Sequence, residues 1–109
     1  MDNTEQIAFD IISNTGEARS ILMNLIAEAE KENFSQVDEQ LKLANDCLKA
    51  AQKTHLKLLS DDAQQNGEAS SMNALLVHAE DQMMAAELIR DLTIHLVHLN
   101  QKVAELSNK

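Results

Sequence analysis

Proline is absent from this chain, tryptophan and tyrosine are absent too, and the aromatics are Phe9 and Phe34 alone. Without Trp or Tyr there is no platform on which nucleic-acid bases would stack. Positive charge is scarce: Lys and Arg number 9 against 18 Asp and Glu, for a net charge of −9. That balance excludes the phosphate-neutralising surface of a nucleic-acid binder. The two glycines, Gly16 and Gly67, stand far apart. A Walker loop, a dinucleotide fingerprint and a Gly-x-Ser-x-Gly elbow are therefore excluded. The single cysteine, Cys47, forms no internal disulfide, and no Cys/His spacing has the form of a zinc site. No run of about 18 apolar residues is present to span a membrane. Met1 leads into Asp2, Asn3, Thr4 and Glu5, which is not the basic-then-apolar start of a secretory signal. A cytoplasmic protein is expected.

What remains is an acidic chain of 109 residues and 12.1 kDa, 44% apolar, which is too apolar for a disordered chain. Its length fits one domain, residues 1–109. Three helices are predicted, at about 4–31, 35–60 and 71–106. In the first, Asn3 is the capping candidate and Gln6 its capping-box partner. Ile7, Ile11, Ala18, Leu22, Leu25 and Ala29 recur at helical spacing, and Ile12, Met23 and Ile26 widen that stripe. Gly16 falls mid-helix, where it costs about 1 kcal/mol relative to alanine. A close approach of another helix is the expected reason.

In the second helix Ser35 is the expected N-cap, with Asp38 favoured by the helix dipole. Val37, Leu41, Ala44, Leu48, Ala51, His55 and Leu58 follow in alternating steps of four and three, a coiled-coil-like seam. Leu43, Cys47 and Ala50 form a second apolar line. The loop is Asp61 to Ser70, with Asn66-Gly67 as its turn signal and Ser70 or Ser71 as the next cap. The third helix carries one heptad line through Leu75, Gln82, Ile89, Leu96 and Val103. A second line runs three residues on, through His78, Ala85, Leu92, Leu99 and Leu106. From Met83 to Ile89 this helix is apolar around most of its circumference, and such a helix is buried. The expected architecture is all-α: an up-down-up three-helix protomer that oligomerises through its third helix.

His78 and Gln82 interrupt an otherwise apolar seam, and polar groups there cost stability unless they are paired or used. His78 is the chief candidate for chemistry. A neutral imidazole can accept a phosphoryl group, bind a metal or shuttle a proton, and a satisfied interface histidine is the plainer alternative. Asp81, one turn away, could orient the ring, ligate a cation or simply be solvated. Glu80 is expected on a different, solvent-facing side. His55 fills a seam slot and is expected to be buried and hydrogen-bonded. His95 and His98 are spaced to share a metal, but lack a third ligand. Cys47 reads as a small core residue, and Met83-Met84 as packing filler.

The segment Ile12-Ser13-Asn14-Thr15-Gly16-Glu17-Ala18-Arg19-Ser20 resembles the first-helix signature of the lactose/cellobiose-type enzyme IIA family of the bacterial sugar phosphotransferase system. Leu75-Leu76-Val77-His78-Ala79-Glu80-Asp81-Gln82-Met83-Met84 resembles its active-site segment. The similarity covers nearly the whole chain, with both signatures in order. The resemblance implies a cytoplasmic phosphocarrier. His78 would take a phosphoryl group from the phosphorylated histidine carrier protein and pass it to a cysteine of the IIB component. A permease for a lactose-, cellobiose- or chitobiose-type disaccharide follows. The resemblance also implies a homotrimer in which Asp81 from each chain meets on the three-fold axis and binds magnesium or a similar cation. The chain departs from the family pattern at Gln82, where histidine is usual, and at Glu80, where glutamine is usual. In helix two, Gln52 and His55 stand as if a family-typical histidine and glutamine had traded places. The alternative is a non-enzymatic helical oligomerisation or adaptor module with His78 at an interface. A metal-dependent bundle enzyme would want a Glu-x-x-His pair, and the chain has none. The −9 charge would steer a carrier with a basic docking face.

Overall fold

The structure, a computed structural model, describes residues 3–64 and 74–108. These form three helices: α1 (Asn3–Glu30), α2 (Val37–Gln64) and α3 (Ala74–Ser107). The chain direction follows from the core. Ala8 and Ile11 of α1 pack with Ala51 and Leu58 of α2 and with Leu76, Ala79 and Met83 of α3. Further along, Ala18 and Leu22 meet Ala44, Leu48 and Ala86. Leu25 and Ala29 then meet Val97. Residue numbers rise together on α1 and α3 and fall on α2, so the bundle runs up, down, up.

Helix α1 buries Ala8, Ile11, Thr15, Ala18, Leu22, Leu25 and Ala29 in steps of three and four, the stripe that a 3.6-residue period requires. Thr15 tolerates the core because its hydroxyl donates to the carbonyl of Ile11 at 2.9 Å. The α2 seam is as expected: Ala44, Leu48, Ala51 and Leu58 are buried, and Val37, Leu41 and His55 partly so. The second α2 line lies outside it, with Leu43 and Ala50 exposed and Cys47 half-buried.

The turn between α1 and α2 closes by backbone geometry. Asn33 N–H donates to the Glu28 carbonyl at 2.9 Å and Glu32 N–H to that of Ala29 at 3.0 Å. This is the Schellman pattern, and Glu32 takes the left-handed position with φ 62°. Ser35 does not cap α2. Its hydroxyl turns back to donate to Asn33 Oδ1 at 2.8 Å, and the helix starts at Val37. The carbonyl of Gln36 accepts the Gln40 N–H at 2.9 Å, which places the cap at Gln36. Helix α2 also runs four residues further than expected, through Asp61 to Gln64. The Asn66-Gly67 turn and the Ser70/Ser71 cap lie outside the described residues.

Helix α3 buries a line that neither heptad reading names: Leu76, Ala79, Met83, Ala86, Thr93, Val97 and Ala104. The sequence-read lines flank it. Leu75, Gln82 and Ile89 are half-buried, and Leu96 and Val103 exposed. Three of its seven residues are alanine, which lets α1 pack closely along it, while α2 touches α3 more sparingly. Thr93 is accommodated by donating to the Ile89 carbonyl at 2.6 Å.

Candidate functional site

Two turns into α3, the helix presents different residues to each side. Leu76, Ala79 and Met83 face the core. His78 and Asp81 are exposed, and Gln82 between them is half-buried. Among the described residues no hydrogen bond or ion pair engages His78 or Asp81. The imidazole is thus free to meet an incoming group, and the carboxylate to meet a cation or another chain. Among the described residues no lysine or arginine pairs with Asp81. Arg90, the nearest cation along α3, donates to Asp91 Oδ1 at 3.1 Å and to Asn45 Oδ1 at 3.5 Å.

Asp81 lies on the side of α3 opposite the core, in line with a row of uncovered apolar residues. Leu88 is 59% exposed, Leu92 50%, Leu99 56% and Leu106 69%. Val77, Met84 and Val103 extend the same face. The second heptad line read from the sequence, His78 to Leu106, is therefore an outer face and no part of the protomer core. Met83 and Met84 divide: the first is buried, the second 64% exposed.

Glu80 corrects the sequence reading. It does not face solvent. Its Oε1 lies 3.2 Å from Nε2 of His55, and the side chains are 22% and 19% exposed. Both of these atoms are shut off from water. Two further polar pairs join α2 to α3: Gln52 Nε2 donates to Glu87 Oε2 at 2.5 Å, and Arg90 reaches Asn45. His55 is partly buried in its seam slot, but where a hydrogen bond was expected its Nε2 has only the ion-pair contact with Glu80. Its partner, 25 residues away in sequence, could not be read from spacing.

Gly16 also departs from expectation. A Cβ built there meets nothing within 4 Å, so no helix of this protomer approaches it closely. Cys47 is a poor nucleophile. Burial pushes its thiol up from the ordinary value, and the Glu17 carboxylate, which accepts its hydrogen bond, and Asp46 push it further. Among the described residues no group of three or more His, Cys, Asp or Glu could hold a metal ion, so His95 and His98 do not make a site within one chain. No helix of the structure is long and apolar enough to cross a membrane among the described residues. A cavity of about 390 Å³ is lined by Asn3, Gln6, Ile7, Asp10, Lys53, Thr54 and Lys57. Its walls are α1 and α2 only, and it is separate from His78.

Fold and site define a class first: an all-α, three-helix chain with an exposed, unpaired histidine on an open helix face. Comparison with known proteins gives the family. The model of the lactose/cellobiose-specific IIA subunit of the phosphotransferase system matches residues 6–101. The chain is 30% identical to the lactose-specific EIIA component of Staphylococcus epidermidis over 93% of this chain and 95% of that one. It is 32% identical to the lichenan-specific phosphotransferase enzyme IIA component of Bacillus subtilis, over 95% and 93% of the two chains. The crystal structure of the cellobiose-specific enzyme IIA from Bacillus anthracis superposes with a TM-score of 0.89 at 30% identity, covering 96% of this chain and 94% of that one. The chain belongs to the lactose/cellobiose-specific IIA family of the phosphotransferase system, and is a phosphotransferase-system IIA component.

Proposed function

We propose that the chain is a cytoplasmic phosphocarrier with His78 as its acceptor. In the first step a nitrogen of His78 attacks the phosphorus of the phosphorylated histidine carrier protein. The donor N–P bond breaks as the His78 N–P bond forms, and the donor imidazole leaves with the electron pair. In the second step a cysteine thiolate of the IIB component takes the phosphoryl group, and His78 is regenerated. Transfer between two protein side chains requires that both reach the phosphorus in line. The observation that carries this reading is the exposure of His78 with no partner of its own among the described residues. Along α3 the first cation after His78 is Arg90, twelve residues on, which suits a group that must be passed on rather than held. Sugar uptake of the lactose or cellobiose type is proposed from the relatives, and of the chitobiose type from the resemblance alone.

The outer face of α3 supports a homotrimer in which this face is buried between copies. Asp81 lies on that face, and a carboxylate is a hard oxygen donor of the kind magnesium takes. One chain supplies a single such ligand, and three copies would supply three. A bound cation would offset the repulsion among these carboxylates.

The test is intact mass after incubation with phosphoenolpyruvate, enzyme I and the histidine carrier protein. One phosphoryl group is expected on the wild type and none on His78→Ala. A folded wild type that gains no mass would favour the non-enzymatic oligomerisation module, which the same apolar face supports.

A further inference from the structure

We infer that His55 and Glu80 are positioning residues for His78, acting by setting the rotation of α3 about its own axis. The inference rests on the carrier reading of His78.

The core-facing line of α3 mixes sizes: Ala79, Ala86 and Ala104 are interspersed with Leu76, Met83, Thr93 and Val97. The alanine positions resist turning of α3 less than the large ones do, since rotation is resisted by interdigitating large side chains. Directional polar contacts supply what the alanines lack. The three described polar links between α2 and α3 form a ladder: His55 with Glu80, Gln52 with Glu87, and Asn45 with Arg90. The first rung is the most buried. His55 Nε2 and Glu80 Oε1 are sealed from water and lie 3.2 Å apart, within ion-pair reach but out of line for a hydrogen bond, and neither atom has a hydrogen-bond partner elsewhere.

Glu80 lies two residues from His78 and one from Asp81. Adjacent helix positions differ by about 100° of rotation. Glu80 held against α2 therefore directs Asp81 to the outer face and His78 to the side of that face away from α2. Freeing Glu80 leaves those directions to the packing of Leu76, Ala79 and Met83.

The experiment uses the full chain with the phosphorylated histidine carrier protein as donor, and reads kcat and KM beside thermal melting and oligomeric mass. The double substitution His55→Leu with Glu80→Leu replaces the pair by apolar groups of similar size. The expected result is a folded protein of unchanged mass with donor KM within about twofold. Its kcat should fall about tenfold or more, the scale at which misorientation acts. His55→Gln, which keeps a donor for Glu80, should restore most of kcat. Wild-type kcat in the folded double variant would overturn the inference. Should the double variant fail to fold, His55→Asn, too short to reach Glu80 and still polar, decides in the same way: reduced kcat at unchanged KM supports the pairing, and wild-type kcat overturns it. A wild type that accepts no phosphoryl group defeats the carrier reading itself and is seen before any variant is compared.

Discussion

Glu32 is the non-glycine residue with a left-handed backbone among those described, at φ 62°. A Cβ in that conformation costs about 1–2 kcal/mol, which glycine does not incur. The Schellman bonds at Glu32 and Asn33 use only backbone atoms of those residues, so Glu32→Gly keeps them. Its urea midpoint should rise, for a gain of about 1 kcal/mol. Gly16 presents the opposite case. It has ordinary helical geometry, lies on the surface, and has open space where a Cβ would go. Gly16→Ala should add about 1 kcal/mol of helix propensity in the same unfolding measurement. A loss instead, with a weakened oligomer, would place Gly16 at a contact between chains. Neither substitution touches His78.

At the scale of the element, each helix is held by a few large side chains among many alanines. Leu22 is fully buried between Ala44 and Leu48 of α2 and Ala86 of α3. Leu22→Ala should destabilise by about 2–5 kcal/mol in equilibrium unfolding, because rigid helices do not collapse into the space left. The α1 and α2 faces were legible in sequence for the same reason that this mutation is costly: large apolar residues mark the buried stripe. On α3 the signal misleads. Leu88, Leu92, Leu96, Leu99 and Leu106 point outward while three of its seven buried residues are alanines, so the strongest periodicity marks the uncovered face, and the core is the fainter line. The site was legible as a segment, through its motif around His78 and Asp81. What joins it to the rest was not. Glu80 pairs with His55 across two helices, a contact that no local spacing encodes, and a carboxylate on a polar-looking helix flank reads as solvated until its partner is placed.

At the scale of the whole molecule, shape and surface point to incompleteness. The bundle measures 63 × 22 × 20 Å with a radius of gyration of 17.4 Å, against about 13 Å for a compact chain of this length. Its accessible surface is 7108 Å², where a compact monomer of this mass exposes about 6,000 Å². A slender rod cannot bury both sides of its third helix. The uncovered side is a continuous apolar face from Val77 to Leu106 with Asp81 near one end. Like faces on three copies can cover one another about an axis, and a polar residue on such a seam fixes register. Burying a charge on the same seam would cost several kcal/mol per chain. The double substitution Leu92→Glu with Leu99→Glu leaves every core residue of the protomer in place. It should reduce the mass by light scattering from about three chains to one, near 12.1 kDa, with helical circular dichroism retained at low temperature. A wild type that is already a single chain at micromolar concentration would remove the trimer. It would also remove the cation at Asp81, since one chain offers that ion only one ligand.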